Sequence, residues 1–234
     1  MRKKAILVIG MLAIGFAAFS QAVRDRQVIP VAVNLNQVLR MTITNGGNIE
    51  FVFNSIDDYR LGLSGDPATL SANNGSGSHP FYVTDFTVAS STRWFLNYGA
   101  EEATFIGTDD PGNTLALNNV GFTLASTAVG GHEFETGGAQ GTTATEELWS
   151  TPTLAGTEIT GLTVYPTLLI DDNGVLDANA GDADDNSFQM VWRCGTVEAS
   201  TSLTPMAAVS LLDQDPSPAP DRYVTNVIFE LGAY

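Results

Sequence analysis

Apolar residues recur at every second position through much of this chain. From Pro30 to Ile43 ("PVAVNLNQVLRMTI") the odd positions Val31, Val33, Leu35, Leu39, Met41 and Ile43 are apolar, with a break at Gln37. The even positions Ala32, Asn34, Asn36, Arg40 and Thr42 are small or polar. A period of two marks a strand with one buried face. This one is about twice the length of an ordinary strand, which raises the question of what it pairs with. The break at Asn36–Gln37 offers two answers. Either the strand bends there and serves both sheets of its own domain, or Val31, Val33 and Leu35 belong to a segment that joins a neighbouring subunit's open edge.

The same period continues downstream. "TNGGNIEFVF" has a Gly-rich turn at Asn45 to Asn48 and then Ile49, Phe51 and Phe53 on one face, which predicts a hairpin. Tyr59, Leu61 and Leu63 alternate, as do Phe86 with Val88, and Trp94, Leu96 and Tyr98. Leu115, Leu117, Val120, Phe122 and Leu124 follow. In "FQMVWRCG" Phe188, Met190, Trp192 and Cys194 share a face, and in "DRYVTNVIFEL" Tyr223, Thr225, Val227, Phe229 and Leu231 do. Long loops are expected near 64–80, 129–147 and 171–187, where turn-forming, Gly/Thr-rich and acidic residues cluster. No long amphipathic helix and no internal repeat stand out. About ten short strands between turn signals predict an all-β fold, an antiparallel two-sheet β-sandwich of immunoglobulin-like or jelly-roll-like type. Residues 23–234 are expected to form it as a single domain.

The first residues change the picture of where this chain works. Arg2, Lys3 and Lys4 precede an apolar core from Ala5 to Phe19, and "SQA" (Ser20 to Ala22) puts small residues at the −3 and −1 positions of a cleavage site. Residues 1–22 are therefore expected to be a signal peptide, with an apolar run short for a membrane span. The net charge of −16 becomes −19 once those three basic residues leave. The mature chain has no lysine, and so neither lysine chemistry nor lysine cross-links. So acidic a surface repels nucleic acid and anionic lipid. The one cysteine, Cys194, allows no internal disulfide and is expected to be a small buried hydrophobe.

Candidate chemistry is sparse. The histidines are His79 and His132, no serine lies in a nucleophile elbow, and no histidine pair has metalloprotease spacing. Carboxylates are too abundant for any pair to mark a glycosidase. No enzyme is expected. The acidic loop "DDNGVLDANAGDADDNS" is the best local signal for a ligand, because Asp171, Asp172, Asp177, Asp182 and Asp184 are oxygen donors suited to calcium. It does not fit the helix-loop-helix calcium pattern. Asp182, Asp184 and Asn186 match its first three positions, but Ser187 and Arg193 stand where Gly and Glu are required. Trp94 and Trp192 lie on apolar strand faces and are expected in the core. Trp149, outside a clear strand, is a candidate for stacking on a sugar.

The layout resembles that of secreted sandwich proteins on the surface of outer-membrane bacteria, including subunits of fimbria-like fibres. The likeness is carried by the leader, the early strand "VAVNLNQVLRMTITNGGNIEF", the middle segment "VASSTRWFLNYGAE" and the closing "YVTNVIFELGAY". Chaperone–usher pilins differ in usually carrying a disulfide and a penultimate tyrosine, where this chain has one cysteine and Tyr234 last. The resemblance implies a non-enzymatic structural subunit of a cell-surface assembly, exported to the exterior of a Gram-negative-type bacterium. Its partners would be copies of itself or other surface proteins. The alternative is a calcium-assisted adhesive module that binds glycans. An outer-membrane β-barrel is a third class, against which the charged Glu230 interrupts the lipid-facing register of the last strand.

Overall fold

The period-two stretches become strands wherever one face can be buried. A computed structural model describes residues 29–65, 82–135, 147–150, 159–174, 179–196 and 205–234. The leader, His79, Asp177 and most of the loops expected near 64–80 and 129–147 lie outside the described residues. Thirteen strands are described. They are β1 (Leu39–Asn45), β2 (Leu63–Ser64), β3 (Val83–Ser90), β4 (Trp94–Ala100), β5 (Thr104–Gly107), β6 (Thr114–Ala116) and β7 (Val120–Ser126). β8 (Leu148–Ser150), β9 (Thr160–Gly161), β10 (Thr167–Asp172), β11 (Ser187–Cys194), β12 (Tyr223–Val224) and β13 (Val227–Ala233) complete the set.

One sheet has the order β1-β3-β11-β7-β9, with β2 also paired to β11, and a second has the order β13-β4-β10-β8. Strands β12, β5 and β6 make a small third sheet. All these ladders are antiparallel. The chain is an all-β sandwich. No sheet among the described strands closes into a barrel, so the outer-membrane barrel is not the architecture found.

The core lies between the two larger sheets. Phe86 and Val88 of β3, Phe188, Met190 and Trp192 of β11, and Phe122 and Leu124 of β7 point into it from one side. Trp94, Leu96 and Tyr98 of β4 and Ile170 of β10 enter from the other. Rings meet across the gap, Trp94 with Phe188 at 6.1 Å and Tyr98 with Phe122 at 5.3 Å. Cys194 lies on the same face of β11, buried as expected, and burial pushes its thiol up to about 12.

Four expectations are corrected. First, β1 begins only at Leu39, and residues 29–38 carry no strand. The compact unit runs from Gln37 to Tyr234, so the break in the alternation coincides with its boundary. Second, Ile49, Phe51 and Phe53 form no hairpin. Gly46 turns at φ 65° with its backbone against Val83, and its carbonyl accepts a hydrogen bond from the Thr84 hydroxyl at 2.7 Å. β1 takes β3 as its antiparallel partner instead, and the apolar residues that follow pack on the core without joining a ladder. Phe51 stacks on Tyr82 at 4.6 Å.

Third, the alternation at Tyr59 and Leu61 is helical. The helix α1 (Ile56–Leu61) starts from a capping box in which Ser55 and Asp58 each accept from the other's backbone N–H. It stops at Gly62, whose φ of 74° favours glycine. Fourth, the closing stretch divides at Thr225–Asn226. β12 joins the small sheet through β5, while β13 joins β4.

Asp221 holds the loop of the small sheet. Its carboxylate accepts from the Asn113 amide at 2.9 Å and from the backbone N–H groups of Asp109, Asp110 and Arg222. These bonds, that from Asn113 foremost, lower its pKa from the ordinary 3.8 to about 2. Because the folded value is the lower one, the stabilisation is complete above the ordinary value and is lost as pH falls towards the folded one. Asp221→Asn should therefore be less stable than the parent at neutral pH, with the two converging by about pH 2. Urea midpoints across that range test this; a deficit that is independent of pH would contradict it.

Candidate functional site

The described acidic residues of the stretch 171–187 do not form one cluster. Asp171 and Asp172 end β10 and are buried, so the loop begins at Asn173 rather than at Asp171. Asp172 accepts from the Arg93 guanidinium at 2.6 Å. Asp171 accepts a hydrogen bond from the Tyr234 hydroxyl and one from the backbone N–H of Asp172. Arg93 also lies over the Tyr234 ring, 4.6 Å from its centroid. Burial, then the hydrogen bond to Asp171, pushes the Tyr234 hydroxyl well above the usual tyrosine range. The end of β13 is thus tied to β4 and β10 by charge and ring contacts together.

Asp182 and Asp184 face the other way. They sit in an exposed turn where an Asp182 carboxylate oxygen accepts from the backbone N–H groups of Asp184 and Asp185. Among the described residues no group of three or more His, Cys, Asp or Glu side chains could hold a metal ion.

Buried amides organise the loop instead. Asn179 accepts from the Trp94 backbone N–H at 3.1 Å and donates to the Trp94 carbonyl at 2.7 Å, as a neighbouring strand would. The Trp94 indole donates to the Asn179 carbonyl at 2.6 Å. Asn186 donates to the same carbonyl, and its side-chain oxygen meets His132 Nδ1 at 3.0 Å. Asn179→Ala would leave two buried backbone groups of Trp94 unpaired, at a cost of about 2–3 kcal/mol. The expected melting temperature is lower by roughly 4–12 °C; a thermal melt within about 1 °C of the parent would contradict this role.

Trp149 is not an exposed platform. It is the middle residue of β8, half-buried opposite Asp171, and its indole N–H is buried with no hydrogen bond among the described residues. Trp94 and Trp192 are core residues, as expected.

Val31, Val33 and Leu35, the assembly residues expected from the sequence, carry no strand and are 83%, 75% and 91% exposed. Ile29, two residues earlier on the same alternation, is exposed as well. Apolar side chains in alternation normally signal a buried face; here the face is bare.

A comparison with protein-family models finds no match, and a search of curated proteins finds none either. The reading of this chain rests on its own residues.

Sequence reasoning missed the Arg93–Asp172–Tyr234 arrangement and the amide anchor at Asn179. A signal for the first was present. Beyond Lys4, arginine is the only lysine- or arginine-type cation in a strongly acidic chain, so each arginine is a prime candidate for a carboxylate partner. Arg60 with Asp57 and Arg222 with Glu50 follow the same rule on the surface. Asn179 gave no such signal, because a single Asn in a polar loop reads like any turn residue.

Proposed function

We propose that this protein is an exported, non-enzymatic structural subunit of an extracellular cell-surface assembly. Copies join when the segment Ile29–Leu35 of one adds as a strand to another. The observation that carries this reading is the bare apolar face of that segment. Burying one Val, Leu or Ile side chain is worth roughly 1.5–3 kcal/mol. Four such residues left in water represent a large unsatisfied gain, which strand addition would recover along with main-chain hydrogen bonds. A donor on one end and an acceptor elsewhere make a head-to-tail contact that builds a filament.

The calcium-assisted glycan-binding alternative draws less support, because Asp171 and Asp172 already have internal partners and Trp149 is half-buried. Sedimentation of the mature protein over a concentration series tests the proposal. Growth of species larger than the monomer with concentration supports it. A monomer at every concentration, with no filaments by electron microscopy, refutes it.

A further inference from the structure

Resting on that reading, the partner surface can be located. The four-stranded sheet ends at β13, and no described strand pairs with its outer side. The phase of the ladder is fixed at both ends. The Glu101 N–H donates to the Asn226 carbonyl at 2.9 Å, and the Tyr234 N–H donates to the Arg93 carbonyl at 3.3 Å. The register between them is unbroken, so the even-numbered residues exchange their hydrogen bonds with β4. Val227, Phe229, Leu231 and Ala233 consequently direct their N–H and C=O groups outward.

The side chains along this edge are incompletely covered as well. Val227, Phe229 and Leu231 pack on the core yet stay half-buried, whereas Trp94, Leu96 and Tyr98 on the adjacent β4 are fully buried. On the other sheet the buried Phe86 of β3 likewise gives way to its partner Ile43 of β1, which is 45% exposed. The sandwich is thinly covered along its β1 and β13 side. Both edges are open among the described residues, but the β1 ladder shifts register between Ile43 and Asn45, while β13 offers seven residues in one register.

We infer that the outer edge of β13 in one copy accepts residues Ile29–Leu35 of a second copy as an added strand. The donor matches the edge in length. Its only proline, Pro30, stands near the start of the segment, where an edge strand tolerates it. Val31, Val33 and Leu35 would continue the apolar face of Val227, Phe229 and Leu231, covering the thin side of the core. Ala32 and Asn34 would share the outer face with Ile228 and Glu230.

Cross-linking between variants that each carry one added cysteine besides the buried Cys194 tests this on the full mature chain. Asn34→Cys protein is mixed before assembly with Ile228→Cys or Glu230→Cys protein of distinguishable mass, and separately with Thr42→Cys protein on β1. Residues opposite one another on neighbouring strands have Cβ atoms about 5 Å apart, within disulfide reach. The expected result is a mixed disulfide with a β13 variant at least tenfold more abundant than with Thr42→Cys. A mixed disulfide with Thr42→Cys alone overturns the β13 edge and leaves self-assembly standing. No mixed disulfide in mixtures that still sediment as large species also overturns the edge. No mixed disulfide together with purely monomeric sedimentation overturns both the edge and the proposed function.

Discussion

Val33→Asp should convert the assembled protein into monomers, with a melting temperature within about 2 °C of the parent's when both are diluted to monomers. Val33 is 75% exposed and outside every strand, so in the free chain the new carboxylate stays in water and costs the fold little. In the joined state the same position faces an apolar core, where an unpaired charge is strongly disfavoured. A penalty of even about 3–4 kcal/mol weakens association by roughly 100- to 1,000-fold. Size-exclusion chromatography at assembling concentration and thermal melts after dilution to monomers separate the two effects. A lower melting temperature with unchanged oligomeric state would mean that Val33 serves its own fold.

Phe188→Ala should do the reverse. Phe188 lies on β11, fully buried, with its ring 5.1 Å from Phe86, 5.7 Å from Phe134 and 6.1 Å from Trp94. Removing it loses the transfer energy of the ring and leaves a cavity between the sheets, at about 4 kcal/mol. For a chain of this size that lowers the melting temperature by roughly 8–16 °C. The molecules that remain folded should still assemble, because neither the leading segment nor β13 is altered. A shift below about 3 °C would show that the two sheets are not packed through this residue.

The sandwich was legible where strands have one buried face. β3, β4, β7 and β11 alternate in sequence because their even or odd side chains alone meet the other sheet, and those four carry most of the core. Alternation misled where something else buried the apolar residues. Ile49, Phe51 and Phe53 pack without a ladder, and Tyr59 and Leu61 belong to a helix whose Ser55–Asp58 box was the better signal. The division of the last strand at Asn226 had no apolar signature, since it depends on hydrogen bonds with Glu101, distant in sequence.

The candidate site was partly legible. The apolar face at Val31, Val33 and Leu35 was visible from its period, and so was the break that ends it. The acidic residues looked like one loop because they are adjacent in sequence. In space β10 turns Asp171 and Asp172 inward to Arg93 and Tyr234, and a surface turn keeps Asp182 and Asp184 outward. Sequence proximity carries no information about which way a strand end faces until its partners are known.

Amide hydrogen exchange on the leading segment tests the central claim most directly. In assembled protein the amides of Val31 to Leu35 should exchange at least about 100-fold more slowly than in monomeric Val33→Asp, because an added strand hydrogen-bonds its backbone to the acceptor. Exchange at the unprotected rate in both samples would show that the segment joins no sheet, and would contradict the account.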